Sequence, residues 1–253
     1  MSLNGDHFVK LLIEIQQDIS TSPIKNVVQR YNRIAGIIKR RIDLLSNDRV
    51  IKELCNTREK LFNMQYLGTI SITLGLLISL FLLLLGALSL YFSQFPGLIG
   101  LIFDFPPKIE YITDKIFITS FSIYTILAGS FNPLKYIIGR ICSINFNGFY
   151  LGNLGQLALK KDCISYFRAG KKRLIFYFFS ALIPFLVLLV VSLWLYFVAS
   201  NLSGFFIILF HLMMTYVFYK KRKGETYRFI REIKTFRQQK YLSDLLKLKY
   251  NKE

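Results

Sequence analysis

The chain has 253 residues, is 53% hydrophobic, and carries 33 Lys and Arg against 15 Asp and Glu, a formal charge of +18. That apolar content excludes a disordered chain, and four long apolar runs without a polar face exclude a small soluble domain. Cys55, Cys142 and Cys163 form no close pair in sequence, so neither a disulfide frame nor a zinc site is expected.

At the polar N-terminus, Phe8, Leu12, Ile15 and Ile19 share one face, which predicts an amphipathic helix and no cleavable signal peptide. Ser22-Pro23 then supplies a helix N-cap followed by proline at the first helical position. A second helix reads Ile24, Val28, Tyr31, Ala35, Ile38, Ile42 and Leu45, in alternating steps of four and three. That repeat suffices for helix packing or a short coiled coil. Ser46-Asn47-Asp48 breaks it, and a third helix from Asp48 is expected to run straight into the first apolar run.

The apolar runs are Leu67–Phe92, Ile116–Ile138, Leu174–Ala199 and Leu202–Tyr219, each about the length of a bilayer core. The second reaches that length only if Lys135 snorkels to the headgroups. Between the first two, Phe95–Phe105 is apolar but broken by Pro96, Gly97 and Gly100, which suggests a segment at or in the outer leaflet. The middle loop, Asn145–Gly155 and on to Arg168, reads as a turn plus a short interfacial helix. After Gly224 a basic amphipathic helix presents Tyr227, Ile230, Ile233, Phe236, Leu242, Leu245 and Leu246 as its apolar side.

Charge orients these runs. Residues 1–66 carry a net +4, 93–115 a net −1, 132–173 a net +7 and 220–253 a net +8. Lys and Arg concentrate in cytoplasmic loops, so both termini and the middle loop are expected inside. The fold class is therefore all-α: a polytopic membrane protein with four transmembrane helices, N-terminal cytoplasmic amphipathic helices and a basic C-terminal helix. Its expected parts are a cytoplasmic arm (1–66), a membrane domain (67–219) and a cytoplasmic tail (220–253). Enrichment in Ile, Phe and Lys points to an AT-rich bacterial genome, and hence to a bacterial inner membrane.

Three sets of residues stand out. Ser71, Gly75, Ser79 and Gly86 form a small-residue stripe on the first span, suited to close helix packing or an oligomer interface. Ser122, Thr125, Gly129 and Asn132 make the most polar face of the second span, a candidate pore lining or else a face that hydrogen-bonds to a helix of the same or another subunit. The basic clusters Lys39-Arg40-Arg41, Lys171-Lys172-Arg173 and Lys220-Lys221-Arg222-Lys223 exceed what orientation alone needs, and are candidates for binding an anionic ligand. His211 is the one histidine inside a span, and a neutral, hydrogen-bonded role is expected for it. No phosphate loop, nucleophile elbow or zinc-protease motif is present, so no catalytic residues, metal or cofactor are expected.

Basic amphipathic helices leading into short spans resemble small membrane effectors of bacterial anti-phage systems, of the SLATT, Hailong or Kiwa type. The resemblance rests on about residues 32–92, with Arg40-Arg41 and Arg58-Glu59-Lys60-Leu61 ahead of the small-residue stripe, and on the basic tail. It departs from the SLATT pattern in having four spans rather than two. What it implies is a pore that permeabilises the inner membrane when a cytoplasmic sensor signals infection. The expected function is thus an oligomeric membrane pore governed by a basic cytoplasmic region that binds an oligonucleotide, a nucleotide or a soluble protein. The alternatives are a non-conducting scaffold that recruits a soluble partner, or a lipid-interacting, membrane-shaping protein. Expected partners are membrane lipids, further copies of the chain, a nucleic acid or nucleotide ligand, and a soluble cytoplasmic protein.

Overall fold

A computed structural model describes residues 5–66, 68–94, 111–151, 157–199 and 201–250, with side chains at 5–66, 68–94, 117–151, 157–198 and 201–244. The expected outer-leaflet segment Phe95–Phe105 lies outside the described residues. The helices are α1 (Gly5–Asp18), α2 (Ile24–Arg40), α3 (Ile42–Leu45), α4 (Asp48–Gln65), α5 (Ile72–Gln94) and α6 (Tyr111–Ile141). A hairpin of β1 (Phe146–Leu151) and β2 (Leu157–Lys161) follows. Then come α7 (Cys163–Arg168), α8 (Lys172–Ala199), α9 (Ser203–Lys220) and α10 (Gly224–Tyr250). These elements form two compact units. A polar unit takes the residues up to Ile70, Arg140–Ile175 and the chain from Phe229 on, and an apolar unit takes Ser71–Gly139 and Phe176–Arg228.

In the polar unit, α1 buries Phe8, Leu12 and Ile15 against neighbouring helices, as its apolar spacing predicts. The α2 face is shifted from the expected one. Val27, Tyr31, Ile34 and Ile38 are buried, whereas Ile24 and Ile42 are exposed. The expected repeat does not continue to Leu45, because Arg41 is extended (φ −106°, ψ 112°) and α2 stops at Arg40. The coiled-coil reading is thereby replaced by packing of α2 on α1 and α4. Asn47 caps α4, its side chain accepting from the Arg49 and Val50 amides, which explains the break at Ser46–Asp48.

Helix α4 does not run into the first span. It ends at Gln65, Gly68 has φ +123°, and Ile70 exchanges two backbone hydrogen bonds (2.8 and 3.0 Å) with Phe149 of β1. Gly148 makes this approach workable. Its φ is +139°, and a Cβ there would lie 2.5 Å from the Ile70 carbonyl oxygen. The expected all-α class is accordingly corrected by one antiparallel two-stranded hairpin. Phe146 and Phe149 point inward from it, a strand signal hidden by the three glycines and three asparagines around it. A second correction concerns the cysteines, since Cys55 of α4 and Cys163 of α7 are joined as a disulfide, with Cα atoms 5.5 Å apart. They are 108 residues apart in sequence, so no local spacing signalled the pair.

The apolar unit is inside-out relative to a soluble domain. Its centre holds Leu90 of α5, Ile123 and Ile126 of α6, Leu188 and Leu195 of α8, and Ile207 of α9, so all four helices share one core. Small and hydroxyl residues also turn inward, with Ser79, Ser122, Ser180 and Ser192 almost fully buried. Large apolar side chains such as Phe81, Leu84, Phe197 and Phe206 face outward. Such a surface is untenable in water, and it is what a helix bundle shows to lipid tails. Three of the helices, Ile72–Gln94, Lys172–Val198 and Ser203–Lys220, are long and apolar enough to cross a membrane. The 31-residue α6 is long enough, but its many hydroxyl and amide side chains dilute its hydropathy.

Candidate functional site

The expected oligomer stripe and the expected pore lining meet each other inside the chain. A Cβ on Gly129 of α6 would lie 2.4 Å from the Leu83 nitrogen and 2.7 Å from the Ser79 oxygen of α5. A Cβ on Gly86 would lie 2.8 Å from the Ile126 nitrogen. Ser122 Oγ lies 2.8 Å from Ser89 Oγ across the same contact and donates to Ile118 O at 2.7 Å. Ser79 returns its hydroxyl proton to Gly75 O, and Thr125 to Phe121 O. Ser122, Thr125 and Asn132 are all buried. Within the chain, this face of α6 is therefore packed against α5. Ser71, ahead of α5, accepts from the Leu74 amide instead of meeting α6.

Lys135 does not need to snorkel. Its ammonium donates to Glu225 Oε1 at 2.5 Å and sits over the rings of Phe131 (5.1 Å) and Phe176 (5.9 Å). Arg228 joins the same carboxylate at 2.9 Å. His211 packs edge-on against Phe185.

The densest chemistry lies in the polar unit, where three distant segments converge on Glu232. This carboxylate is 1% exposed. Lys39 Nζ donates to its Oε1 at 3.0 Å and to the Tyr166 hydroxyl at 2.9 Å. The Tyr166 hydroxyl donates to the same Oε1 at 2.9 Å. Arg173, fully buried, places Nε 4.0 Å from Oε2. Its guanidinium lies among Tyr166, Phe167 and Phe236, with Nη1 and Nη2 unmatched by any acceptor. Lys161 Nζ lies 5.1 Å from the Tyr166 ring centre. Gln239 Nε2 donates to the Lys39 carbonyl, which fastens α10 to the end of α2. Burial alone would raise the Glu232 carboxyl, but Lys39 and Arg173, with the hydrogen bonds from Lys39 and Tyr166, outweigh it and hold the group below its ordinary value. Two cations, Lys39 and Arg173, against one carboxylate leave a local positive excess.

The ten expected anion-binding residues therefore divide. Lys39 and Arg173 are consumed by the buried cluster, and Arg41 pairs with Asp43. Arg40, Lys171 and Lys172 stay exposed in the polar unit, and Lys220–Lys223 stay exposed in the apolar unit. Sequence reasoning missed Glu232. The apolar side drawn for the tail passes over the buried seam, which carries Glu232 and Gln239, two polar residues seven apart. That spacing, two turns of helix, was the available signal. Among the described residues no three His, Cys, Asp or Glu side chains converge as metal ligands. No family model, curated protein or solved structure matches the chain.

Proposed function

We propose that the chain is a four-span membrane scaffold that holds a basic cytoplasmic unit at the bilayer for recruitment of an anionic or protein partner. The observation that carries this reading is the contact between α5 and α6. Among the described residues, the polar face of α6 is packed against α5, which favours helix packing over pore lining for it.

Connectivity supports the span count. The N-terminal arm, the middle loop and the C-terminal helix belong to one compact unit, joined by the Cys55–Cys163 bond and the Lys39–Glu232 ion pair. Segments that touch lie on one side of a membrane. If α5 crosses, the chain must return before Arg140, and α6 is the element available to do so. Helices α8 and α9 then leave and return as a hairpin. An even number of spans fits that arrangement, and the loop charges favour the cytoplasm as the shared side. The exposed cations Arg40, Lys171 and Lys172 of the polar unit are the surface offered to phosphate-rich ligands or an acidic protein.

The second reading is a conducting oligomer of the anti-phage effector kind in a bacterial inner membrane. It is favoured by the broad apolar faces of α5, α8 and α9, which are available for contact with further copies. Purified protein in anionic-lipid vesicles separates the two. The scaffold predicts no dye or ion release above lipid alone, with or without added single-stranded oligonucleotide. Release that scales with protein density overturns it in favour of the pore.

A further inference from the structure

The disulfide between Cys55 and Cys163 has no part in the reading above, though its significance rests on the cytoplasmic placement proposed there. Thiols in that compartment are kept reduced, and the disulfides found there are mostly transient or sensing. A permanent staple has little use inside the cell, whereas a reversible one does. The two cysteines are placed for exchange. Their Cα separation of 5.5 Å lets a bond form without backbone movement. Cys55 is 7% exposed within the α4 core, and Cys163 at the start of α7 is half-buried and open to attack.

Beside Cys163, Lys160 pairs with Glu59, Arg168 pairs with Asp48, and Asp162 accepts from the Ser165 amide. Cys142 stands apart from the couple. It is 2% exposed, and burial pushes its thiol up despite the opposing charge of Lys172.

We propose that Cys55 and Cys163 form a reversible redox couple, oxidised by a low-molecular-weight disulfide such as glutathione disulfide, that fastens α4 to α7. The Cys163 thiolate attacks one sulfur of the glutathione disulfide. That S–S bond breaks, a mixed disulfide forms on Cys163, and one glutathione thiolate leaves. The Cys55 thiolate then attacks the Cys163 sulfur and displaces the second glutathione. Two electrons pass from the protein to glutathione, and the two protein thiol protons end on the two glutathione thiols. Once reduced, α4 and α7 keep the exposed Arg168–Asp48 pair at 2.8 Å. Such a pair holds little on its own. Helix α4 leads through Tyr66–Ile70 into α5, and α7 leads into α8, so the couple governs two chain segments that feed membrane helices.

The test uses the full chain in inverted membrane vesicles, equilibrated with set ratios of glutathione to its disulfide and trapped with a maleimide. Intact mass and non-reducing gels should show two thiols lost together. The oxidised-to-reduced ratio should rise tenfold for each tenfold rise in disulfide over squared thiol. Cys55→Ser should stop at one glutathione carried on Cys163. Reduction should increase protease cleavage at Tyr66–Ile70 several-fold in the native chain. It should leave the double variant Cys55→Ser, Cys163→Ser unchanged, with folding of that variant checked by helical circular dichroism. Two thiols that react independently, a pair oxidised at every ratio, or cleavage indifferent to reduction would each overturn the proposal. Oxidation of the pair by an impermeant disulfide outside sealed spheroplasts would instead overturn the cytoplasmic placement.

Discussion

Replacing Gly129 by alanine should loosen the membrane bundle without changing how many copies associate. The added Cβ would sit 2.4, 2.7 and 2.8 Å from Leu83 N, Ser79 O and Leu83 Cα, all backbone atoms of the facing helix. Carbon atoms in ordinary contact stand about 3.5–4.0 Å apart, so α5 and α6 must separate locally by roughly 1 Å, a figure set by that contact distance. A backbone cannot swing aside as a side chain can. The cost should therefore fall in the upper part of the usual overpacking range, about 2 kcal/mol or more. For a chain of this size that lowers the unfolding midpoint by roughly 4–8 °C. Gly36→Ala is the matched control. It lies inside α2, and its nearest obstacle is Arg40 Nη2 at 3.9 Å. It should raise the midpoint slightly, since alanine in a helix gains about 0.5–1 kcal/mol over glycine. The assay is thermal unfolding in detergent micelles, read beside size-exclusion light scattering. A Gly129→Ala protein that keeps its midpoint but falls to a smaller assembly would refute the argument and return the stripe to a subunit interface.

The remaining predictions concern topology, the buried pairs and pH. A cysteine at Ser200 should be labelled by an impermeant maleimide from outside the cell, and one at Asn251 only after opening it, with site-specific peptide mass as the readout. The reverse pattern would refute the orientation. Glu225→Gln should destabilise by about 3–5 kcal/mol, because it leaves Lys135 buried without its carboxylate. Adding Lys135→Met should recover most of that loss, and additive losses in the double-mutant cycle would show that the two do not act as a pair. Glu232 is held below its ordinary value of 4.5, so its contribution is present above that pH and is lost as pH falls through the depressed value. Acid unfolding of the native chain should thus be steeper below pH 4.5 than that of Glu232→Gln, and equal slopes would refute the assignment. Tyr31 is pushed up to about 12 by burial, against the pull of Arg58, so its contribution is intact below 10 and fades as pH climbs between those values. Tyr31→Phe should resist that alkaline loss.

The membrane character was legible because length and apolarity are local properties. Three runs emerge within a few residues of their expected bounds as helices fit to span a bilayer. The chain break at Ser46–Asp48 was legible for the same reason, whereas the cap expected at Ser22 is not formed: α2 starts at Ile24, with Pro23 at the cap position and no side-chain hydrogen bond. What stayed hidden depends on partners far off in sequence. Gly148 reads as loop glycine until Ile70 is laid against it. Cys55 and Cys163 read as unrelated thiols until α4 and α7 are packed. The two stripes stand out in the sequence by their small and polar residues, but a sequence lists faces without saying which face meets which. Here each stripe was the other's partner. Lys39 and Arg173 were picked for their charge, and their buried acid, 193 residues beyond Lys39, was not.

That last separation bears on how the polar unit is completed. Lys39 and Arg173 are placed by segments made well before α10, and both are buried beside one acid that α10 alone supplies. Until α10 docks, the site asks two cations to leave water with no carboxylate to receive them, which is costly. Docking in turn closes a very long loop, and that entropy must be spent before Glu232 and Gln239 return anything. The cluster is therefore the last part of the polar unit to become stable. On the proposed topology, its formation requires that the helices between Lys39 and Glu232 have already delivered α10 to the side where Lys39 lies. A chain whose hairpin α8–α9 fails to insert would present the cations without their acid and leave the unit open. The buried charge thus costs stability in isolation, and on the proposed topology it ties the closed form of the polar unit to correct insertion of the bundle.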